Sequence, residues 1–304
     1  MAKQVLFTGA GVALITPMNP DGSINYDKLA ELVDWHIQNG TDALFVCCTT
    51  GEAPTLSSPE HLEALRVAID RAAHRVPVIA GTGSNDTAHC MDMCRVAQRM
   101  GADGLLLVTP YYNKTSQRGL IAHYTKVATA TDLPLILYNV PSRTGVNIQP
   151  ETMLTLYNSI DTVVGLKQAN GDLSSVATLA AASDLPIYSG NDDQIVPILS
   201  LGGKGVVSVL SNVAPRQTHD LCQKWFDGDA AGSRQLQLEY LDLIHALFAD
   251  VNPIPVKAAM NLMGMQVGEC RLPLCPPDEK TLQRLAEALH AHGLIRHCKV
   301  KMKK

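Results

Sequence analysis

A lysine at the end of an apolar run is the residue best suited to chemistry in this chain. Residues 162–167 read Thr-Val-Val-Gly-Leu-Lys, and a strand this apolar is typical of a parallel sheet covered by helices on both faces. An ammonium there costs free energy unless it is paired or neutral. A neutral lysine is a nucleophile that condenses with a carbonyl group to form a Schiff base. The alternative is that Lys167 only extends its ammonium into solvent.

Three further groups follow predicted strands and could act beside such a lysine. The turn 49–52, Thr-Thr-Gly-Glu, offers hydroxyl and N–H groups that can hold a carboxylate, or it could be a capping box for the next helix. Tyr138 could carry protons to and from a Schiff base, or be a core tyrosine with a bonded hydroxyl. Arg143 could bind a carboxylate with its planar fork, or lie on the surface. Their grouping with Lys167 indicates an active site.

The elements that must position these residues recur at the spacing of strand–helix–strand units. Eight short apolar runs read as strands: Val12–Ile15, Ala43–Cys47, Pro77–Ala80, Gly104–Val108, Pro134–Leu137, Thr162–Leu166, Pro186–Tyr188 and Gly205–Val209. Eight strand–helix units predict an α/β fold, a (β/α)8 TIM barrel, in which active sites lie at the carboxyl ends of the strands. A doubly wound sheet is disfavoured because no glycine-rich phosphate fingerprint follows the first strand.

Helical patterns fill the gaps between the predicted strands and continue alone at the end of the chain. Ser58 and Pro59 suit the N-cap and first position of one helix. Beyond about residue 229 only helices are predicted, the first of them at Gly232–Phe248. We therefore expect a catalytic barrel over residues 1–228 and a small C-terminal all-helical domain over residues 229–304, whose basic tail, Arg296–Lys304, should be solvated.

The bulk composition argues against several classes of protein. The chain has 304 residues, of which 46% are hydrophobic, and a formal net charge of −4, so nothing indicates a nucleic-acid partner. No apolar run approaches the roughly 20 residues of a membrane span. Eight cysteines without framework spacing, and an N-terminus without a signal-peptide pattern, are typical of a cytoplasmic protein with reduced thiols. His89, Cys90 and Cys94 lack the spacing of a metal site, so we expect no metal.

Several motifs taken together resemble one superfamily of enzymes. They are CTTGE at 48–52, VTPYYN at 108–113, YNVP at 138–141, GLK at 165–167 and NPIPVK at 252–257. Such a colinear set resembles the pyruvate-dependent class I aldolases, which include N-acetylneuraminate lyase and dihydrodipicolinate synthase. The resemblance spans the chain from Phe7 to Ile295. The motif PSRTG at 141–145 and the doublet Tyr111-Tyr112 are similar to the dihydrodipicolinate synthases, since the sialic acid lyases lack an arginine at this point.

The resemblance implies a lyase mechanism that needs no cofactor and no metal, because the imine itself is the electron sink. Lys167 would attack the ketone of pyruvate and form an imine, while Thr49 and Thr50 bind the pyruvate carboxylate. The derived enamine would attack the aldehyde of L-aspartate 4-semialdehyde, whose carboxylate Arg143 would hold. Ring closure by the substrate amine would release 4-hydroxy-tetrahydrodipicolinate, the product of the first committed step of the diaminopimelate route to lysine.

The same resemblance implies further site residues and an assembly. Thr49, Tyr138 and Tyr112 would form a proton relay, with Tyr112 supplied by a neighbouring subunit. A residue donated in this way makes a homo-oligomer part of the mechanism, and the family is typically a tetramer built as a dimer of dimers. Gly190 and Val207 match positions whose backbones line the substrate pocket.

A regulatory site for L-lysine is also implied, at positions that correspond to Ala53, Pro54, Ser58, His61, Asn85, His89 and Tyr111. Three of these match lysine-sensitive members of the family: His61, Asn85 and Tyr111. His89, however, replaces an acid that would pair with the ligand ammonium, and Ser58 replaces a stacking ring. Losing the charge pair should weaken binding of an amine ligand. We therefore expect weak or absent inhibition by lysine.

Two departures from the family pattern flank the expected site. Cys48 stands where glycine is usual, and Gln168 follows the lysine where glutamate is usual. Both should alter the shape and electrostatics of the pocket, but neither removes a residue with a catalytic role.

Two other functions remain open from the sequence. One is a sister enzyme, a 2-keto-3-deoxy-sugar-acid or hydroxy-oxoglutarate aldolase, which would share the imine chemistry and differ in the second carbonyl compound. Arg143 and Tyr112 argue against it. The other is a barrel that binds a ligand without turnover, and the complete set of relay residues argues against that.

Overall fold

Eight parallel strands form a closed barrel in the order of the sequence in the computed structural model, which describes residues 3–298. The strands are β1 Gly9–Ala13, β2 Ala43–Val46, β3 Val78–Gly81, β4 Gly104–Val108, β5 Leu135–Asn139, β6 Val163–Gln168, β7 Ile187–Ser189 and β8 Gly205–Ser208. β8 pairs in parallel with β1 and closes the ring. The predicted (β/α)8 barrel is thus confirmed.

Helices alternate with the strands and then continue beyond β8. Around the barrel lie α1 Tyr26–Gln38, α2 Ser58–Ala72, α3 Thr87–Met100, α4 Gln117–Ala128, α5 Pro141–Thr144, α6 Pro150–Ser159, α7 Leu173–Ala182, α8 Ile195–Ser200 and α9 Pro215–Phe226. After them come α10 Ala230–Glu239, α11 Leu241–Leu247, α12 Ile254–Leu262 and α13 Glu279–Ala291. Short 3-10 helices lie at Ala53–Thr55, Asp192–Gln194 and Leu210–Asn212.

Apolar side chains form two layers, one inside the barrel and one between the strands and the helices. The inner layer includes Phe45, Ile79 and Ile136, all fully buried. Phe7 lies before β1 and stacks on Tyr188 with ring centroids 4.4 Å apart, so it fills the amino-terminal end of the barrel. The opposite end is left for polar side chains, as in other barrels of this architecture.

Seven of the predicted strands agree with the structure to within two residues at each end. Three other predicted boundaries were wrong, each for a physical reason. The first strand is Gly9–Ala13 and not Val12–Ile15. Its glycines carry little strand propensity, yet they are required beside β2, where a Cβ on Gly9 would lie 2.1 Å from Asp42 Oδ2 and one on Gly11 would lie 2.7 Å from the Phe45 ring. The N-cap of α2 is Ser57 and not Ser58, because Ser57 forms a capping box with Glu60.

The third wrong boundary is in the C-terminal helices. The single helix predicted at Gly232–Phe248 is two helices, α10 and α11, which meet at Tyr240. The ring of Tyr240 stacks on His292 with centroids 4.3 Å apart. That contact with the end of α13 accounts for the change of direction, which no local sequence pattern reveals.

The C-terminal helices share the outer apolar layer with the barrel. Val256 of α12, and Leu285 and Leu289 of α13, belong to the same buried cluster as Val12 and Leu44 of the strands. A boundary between residues 228 and 229 stays a prediction. The predicted solvated tail falls partly on residues 299–304, which lie outside the described residues. Among residues 3–298, no helix is both long and apolar enough to cross a membrane.

Candidate active site

Strand pairing brings the predicted nucleophile and proton carrier together. Tyr138 of β5 and Lys167 of β6 are direct partners across the ladder. The Lys167 Nζ lies 4.1 Å from the centroid of the Tyr138 ring. Lys167 is only 4% exposed, so the alternative of an ammonium extended into solvent does not apply. A buried amine that faces an aromatic ring, and not a carboxylate, is available to react with a carbonyl carbon.

The turn 49–52 after β2 has the backbone of an anion-binding loop. Cys47 and Glu52, on either side of it, adopt left-handed conformations with φ of 54° and 57°. Thr16 Oγ1 donates to the Gly51 carbonyl oxygen at 2.7 Å and holds the turn against β1. The hydrogen bonds within residues 3–298 leave the N–H groups of Thr49 and Thr50 without a backbone acceptor. They can therefore donate to a carboxylate.

The alternative role of this turn, as a cap for the next helix, is excluded by the position of Glu52. Glu52 is buried, with 3% of the residue exposed, and its carboxylate accepts from Lys257 Nζ at 2.8 Å. The other oxygen accepts from the backbone N–H of Arg271 at 2.8 Å. Lys257 also donates to the Glu269 carbonyl oxygen at 2.7 Å. A buried, fully bonded ion pair of this kind is costly to break, so it fixes the turn on the C-terminal helices.

Arg143 lies in the short helix α5, directly after β5. Its guanidinium donates to the carbonyl oxygen of Asn252 at 3.0 Å, and the residue is otherwise exposed. Thr109, at the end of β4, donates its hydroxyl to Thr144 Oγ1 at 3.0 Å and ties α5 to the barrel. One side of the Arg143 fork is thereby positioned, and the rest is free to bind a substrate carboxylate.

A cavity of about 330 Å³ opens at this end of the barrel. It brings together three of the predicted active-site residues, Thr49, Tyr138 and Arg143. Its walls also include the predicted regulatory positions Ala53, Pro54, Ser58, His61, His89 and Tyr111. Six other predicted residues are not part of its lining: Thr50, Asn85, Tyr112, Lys167, Gly190 and Val207. Thr50 and Lys167 are buried. Each adjoins a lining residue, since Thr50 follows Thr49 in the sequence and Lys167 pairs with Tyr138.

Four predicted residues that do not line the cavity lie at different places around it. Gly190 follows β7 and donates its N–H to the Gln168 carbonyl oxygen at 2.7 Å. Val207 lies in β8 at the same end of the barrel and is 1% exposed. Asn85 accepts at its carbonyl oxygen from Asn113 Nδ2 at 2.9 Å, outside the cavity. Tyr112 is 92% exposed and has a left-handed backbone with φ of 68°, so within one chain it does not reach Lys167.

Two thiols and an imidazole in the cavity walls are held in their neutral forms. Burial raises the pKa of the Cys48 thiol to about 12, although the Lys167 charge acts in the opposite direction. Burial likewise raises the pKa of Cys47 well above its usual value. Burial lowers the pKa of His61 to about 4, opposed by a hydrogen bond to the Gly81 backbone. These groups are therefore uncharged at neutral pH. Within the described part of the chain, no group of three or more metal-binding side chains lies close enough to hold an ion.

The two departures from the family pattern fit their surroundings. The Gln168 side chain accepts from Asn139 Nδ2 at 2.9 Å and donates to Ser175 Oγ at 2.9 Å. A neutral amide is thus fully bonded where the family usually has a carboxylate. The sulfur of Cys48 would lie 2.9 Å from a Cβ placed on Gly81, so this thiol fills space at the cavity wall.

Sequence reasoning missed two buried polar residues that shape the site. Asn252 donates its side-chain amide to Thr50 Oγ1 at 3.0 Å. Asp192, after β7, accepts from the N–H groups of Val209 and Leu210 at 3.0 and 2.9 Å. Burial raises the pKa of Asp192, and hydrogen bonds and the Lys167 charge oppose the rise. The motif 252–257 was the available signal for Asn252, but its distance in sequence from Thr50 hid the contact.

Comparisons of the sequence and of the fold with known proteins all lead to one enzyme family. The sequence model of the Dihydrodipicolinate synthetase family matches residues 6–292. The chain is 55% identical over 294 residues to a 4-hydroxy-tetrahydrodipicolinate synthase of Lachnoclostridium phytofermentans. The match covers 96% of this chain and 100% of that relative. The chain is similar to the crystal structure of dihydrodipicolinate synthase from Thermotoga maritima, with a TM-score of 0.93, 41% identity, and coverage of 96% of this chain and 100% of that one. It is also similar to the lysine-bound enzyme of Cyanidioschyzon merolae, with a TM-score of 0.94, 39% identity and the same coverage.

Proposed function

The chain belongs to the dihydrodipicolinate synthetase family, and from that premise we propose that it catalyses the condensation of pyruvate with L-aspartate 4-semialdehyde to 4-hydroxy-tetrahydrodipicolinate. This is a lyase reaction and the first committed step of lysine synthesis through diaminopimelate. The observation that carries the proposal is the buried Lys167 amine, 4.1 Å from the ring of Tyr138, which lines the same cavity as Arg143.

The first half of the reaction builds a carbon nucleophile on Lys167. The Nζ lone pair attacks the keto carbon of pyruvate, and the resulting carbinolamine loses water to give an imine. The N–H groups of Thr49 and Thr50 hold the pyruvate carboxylate. The hydroxyl of Tyr138, beside the amine, carries the protons that these steps take up and release. Loss of a methyl proton from the imine then gives the enamine.

The second half forms the carbon–carbon bond and frees the enzyme. The enamine carbon attacks the aldehyde carbon of the semialdehyde, and the aldehyde oxygen takes up a proton. Arg143 binds the carboxylate of this second substrate, since its guanidinium faces the cavity and is partly unbonded. The amine of the substrate then displaces Lys167 from the imine carbon, which closes the ring.

The exposed Tyr112 supports a proposal about assembly. A tyrosine that is 92% exposed beside the site could complete the relay with Thr49 and Tyr138 only in a neighbouring subunit. We propose a homotetramer, arranged as a dimer of dimers, in the cytoplasm. Gly190 and Val207 would border the bound substrate through their backbones.

A steady-state assay with both substrates tests the proposed reaction. The expected result is product formation that requires pyruvate and the semialdehyde together, with no cleavage of 2-keto-3-deoxy-sugar acids or of hydroxy-oxoglutarate. Cleavage of those acids without condensation would instead favour a sister aldolase. A pyruvate imine that forms without any product would favour a barrel that only binds its ligand.

A second proposal concerns inhibition by L-lysine. The similar structure from Cyanidioschyzon merolae has lysine bound. In this chain Ser58 and His89 line the cavity, at positions where the family resemblance implies a stacking ring and an acid. Without a carboxylate to pair with the ligand ammonium, binding should be weak. We expect lysine at submillimolar concentration to leave the rate unchanged in the same assay. Inhibition at that concentration would contradict this expectation.

A further inference from the structure

One residue of the C-terminal helices contacts both predicted carboxylate-binding groups. The side-chain amide of Asn252 donates to Thr50 Oγ1 at 3.0 Å, and its backbone carbonyl oxygen accepts from the Arg143 guanidinium at 3.0 Å. Asn252 is 6% exposed, so these contacts are made away from solvent. The two subsites for the two substrates are therefore joined through a single residue that precedes α12.

The segment 252–257, which contains Asn252, contacts the turn 49–52 through a second side chain. Lys257, in the first turn of α12, donates to the Glu52 carboxylate at 2.8 Å, and both side chains are 1% exposed. Thr50 and Glu52 are two residues apart, so the segment 252–257 binds the turn through two side chains. The relative position of Asn252 and Thr50 is thereby fixed by a buried ion pair.

The direction of the Asn252–Thr50 hydrogen bond has a chemical consequence. A hydroxyl group has one proton to donate and two lone pairs that accept. Because the Asn252 amide donates, it occupies a lone pair of Thr50 Oγ1 and leaves the hydroxyl proton free. The Asn252 Oδ1 atom is buried and has no hydrogen-bond partner among residues 3–298, so it does not compete for that proton. The proton can then be donated to an anion in front of the turn.

We infer that Asn252 is a positioning residue that orients the Thr50 hydroxyl as a donor to the pyruvate carboxylate, while its backbone holds Arg143 for the second carboxylate. This inference rests on the proposed function, because it assumes that pyruvate binds at Thr50. Asn252 touches neither substrate in this account. It acts through Thr50 and Arg143.

The test separates an effect of Asn252 on substrate binding from an effect on folding. Asn252→Asp is nearly isosteric, but a carboxylate accepts and would draw the Thr50 proton away from the substrate, besides repelling its charge. Asn252→Ala removes the donor without reversing the bond. We expect the KM for pyruvate to rise roughly 5- to 20-fold in Asn252→Ala, as for one lost hydrogen bond, and further in Asn252→Asp. A buried, unpaired carboxylate also lowers stability, so a merely structural role would lower the melting temperature and leave the pyruvate KM of the folded enzyme unchanged.

Two controls test whether the rise in the pyruvate KM depends on the Thr50 hydroxyl and on the substrate carboxylate. In a Thr50→Val background, which has no hydroxyl to orient, adding Asn252→Ala should change the pyruvate KM less than twofold. Trapping of acetone by borohydride should be equal in wild type and both variants, since acetone has no carboxylate. If Asn252→Ala and Asn252→Asp fail to fold, Asn252→Ser keeps a donor in a smaller side chain and should raise the pyruvate KM less than Thr50→Val does.

The outcomes separate this inference from the proposed function. A wild-type enzyme that turns over, with Asn252→Asp equal to or milder than Asn252→Ala, would overturn the role of Asn252 alone. An equal effect of Asn252→Ala with and without Thr50→Val, or an Asn252→Ser variant as impaired as Thr50→Val, would do the same. A wild-type enzyme that forms no pyruvate adduct would instead overturn the proposed function.

Discussion

At the scale of single residues, the barrel buries the two side chains to which we assign the nucleophile and the proton carrier. Lys167 and Tyr138 are 4% and 6% exposed, and neighbouring strands hold them side by side. Their mutual geometry depends on backbone pairing and not on flexible loops, which is how a catalytic pair is kept in place between turnovers. The nearby Cys48 remains a protonated thiol, since burial raises its pKa to about 12, so it does not compete with the amine that we propose as the nucleophile.

Removing the Tyr138 hydroxyl tests its role as proton carrier. Tyr138→Phe keeps the ring against Lys167 and should lower kcat roughly 10²- to 10⁴-fold, the usual contribution of general acid–base catalysis, with little change in the KM for pyruvate. The matched control is Tyr188→Phe in β7, on the other side of β6, a buried tyrosine whose hydroxyl donates to the Phe7 carbonyl oxygen at 2.7 Å. That variant should lose some stability and keep its kcat. Equal kcat values for the two variants would contradict the role of Tyr138.

Candidate site residues could be selected from the sequence where they end a strand, and not where the contact is distant. Lys167 and Tyr138 follow apolar runs, and the rule that barrel sites lie at strand ends was enough to select them. Asn252 could not be found in this way, because its partner Thr50 is about 200 residues away and the bond depends on how α12 packs on the barrel. Local patterns report which face is buried, but not which distant element covers it.

At the level of the elements, short local signals decided which boundaries were predicted correctly. α3 ends at Met100, because the following Gly101 adopts a left-handed conformation with φ of 88°, a common helix terminator that the sequence shows directly. β1 was misplaced because its glycines have low strand propensity, and they are needed where the Asp42 and Phe45 side chains approach too closely for a Cβ. α10 and α11 were merged because the ring of Tyr240 stacks on a residue beyond α13. Where tertiary contacts set an end, the sequence pattern could not locate it.

A buried histidine in α1 should make the stability of the protein depend on pH. His36 of α1 is fully buried, its Nδ1 lies 3.2 Å from Thr41 Oγ1, and burial lowers its pKa to about 3. The unfolded chain, with a histidine pKa near 6.5, binds more protons than the folded chain between pH 6.5 and 3. The contribution of the neutral ring is therefore complete above pH 6.5 and is lost as the pH falls. Between pH 7 and pH 5 this one group should remove about 2 kcal/mol.

The variant His36→Asn keeps a polar atom near Nδ1 but does not titrate. We expect the fall in the free energy of unfolding between pH 7 and pH 5 to be about 2 kcal/mol smaller than in wild type, as measured by urea denaturation. His74→Asn, at an exposed histidine side chain, is the control and should leave that fall unchanged. A fall of wild-type size in His36→Asn would show that His36 is not the group responsible.

The whole molecule combines a closed barrel with helices that extend beyond it and stabilise the active-site end. The C-terminal segment contributes Asn252, Lys257 and the Arg271 N–H to the turn after β2. The barrel could be predicted from eight repeats of strand and helix, whereas this contribution could not, because it depends on packing between distant parts of the chain. The exposed Tyr112 is the one predicted relay residue that a single chain leaves away from the cavity.

Mixing two inactive variants tests whether Tyr112 acts across subunits. If it does, a hybrid of Lys167→Ala and Tyr112→Phe subunits has one site with both residues intact, one donated by each chain. We expect activity to recover when the two variants are unfolded together and refolded, and not when either is refolded alone. Absence of recovery, with hybrids confirmed by native mass spectrometry, would place Tyr112 in its own chain's site or outside the relay.

The most direct test of the account is the intact mass after treatment with pyruvate and borohydride, for wild type and Lys167→Ala. Lys257→Met is unsuited as a control because it breaks a buried ion pair, so the exposed Lys224→Ala serves instead. We predict one reduced pyruvate adduct per chain in wild type and in Lys224→Ala, and none in Lys167→Ala. No adduct in wild type, or an adduct that persists in Lys167→Ala, would contradict the assignment of Lys167 as the Schiff-base lysine.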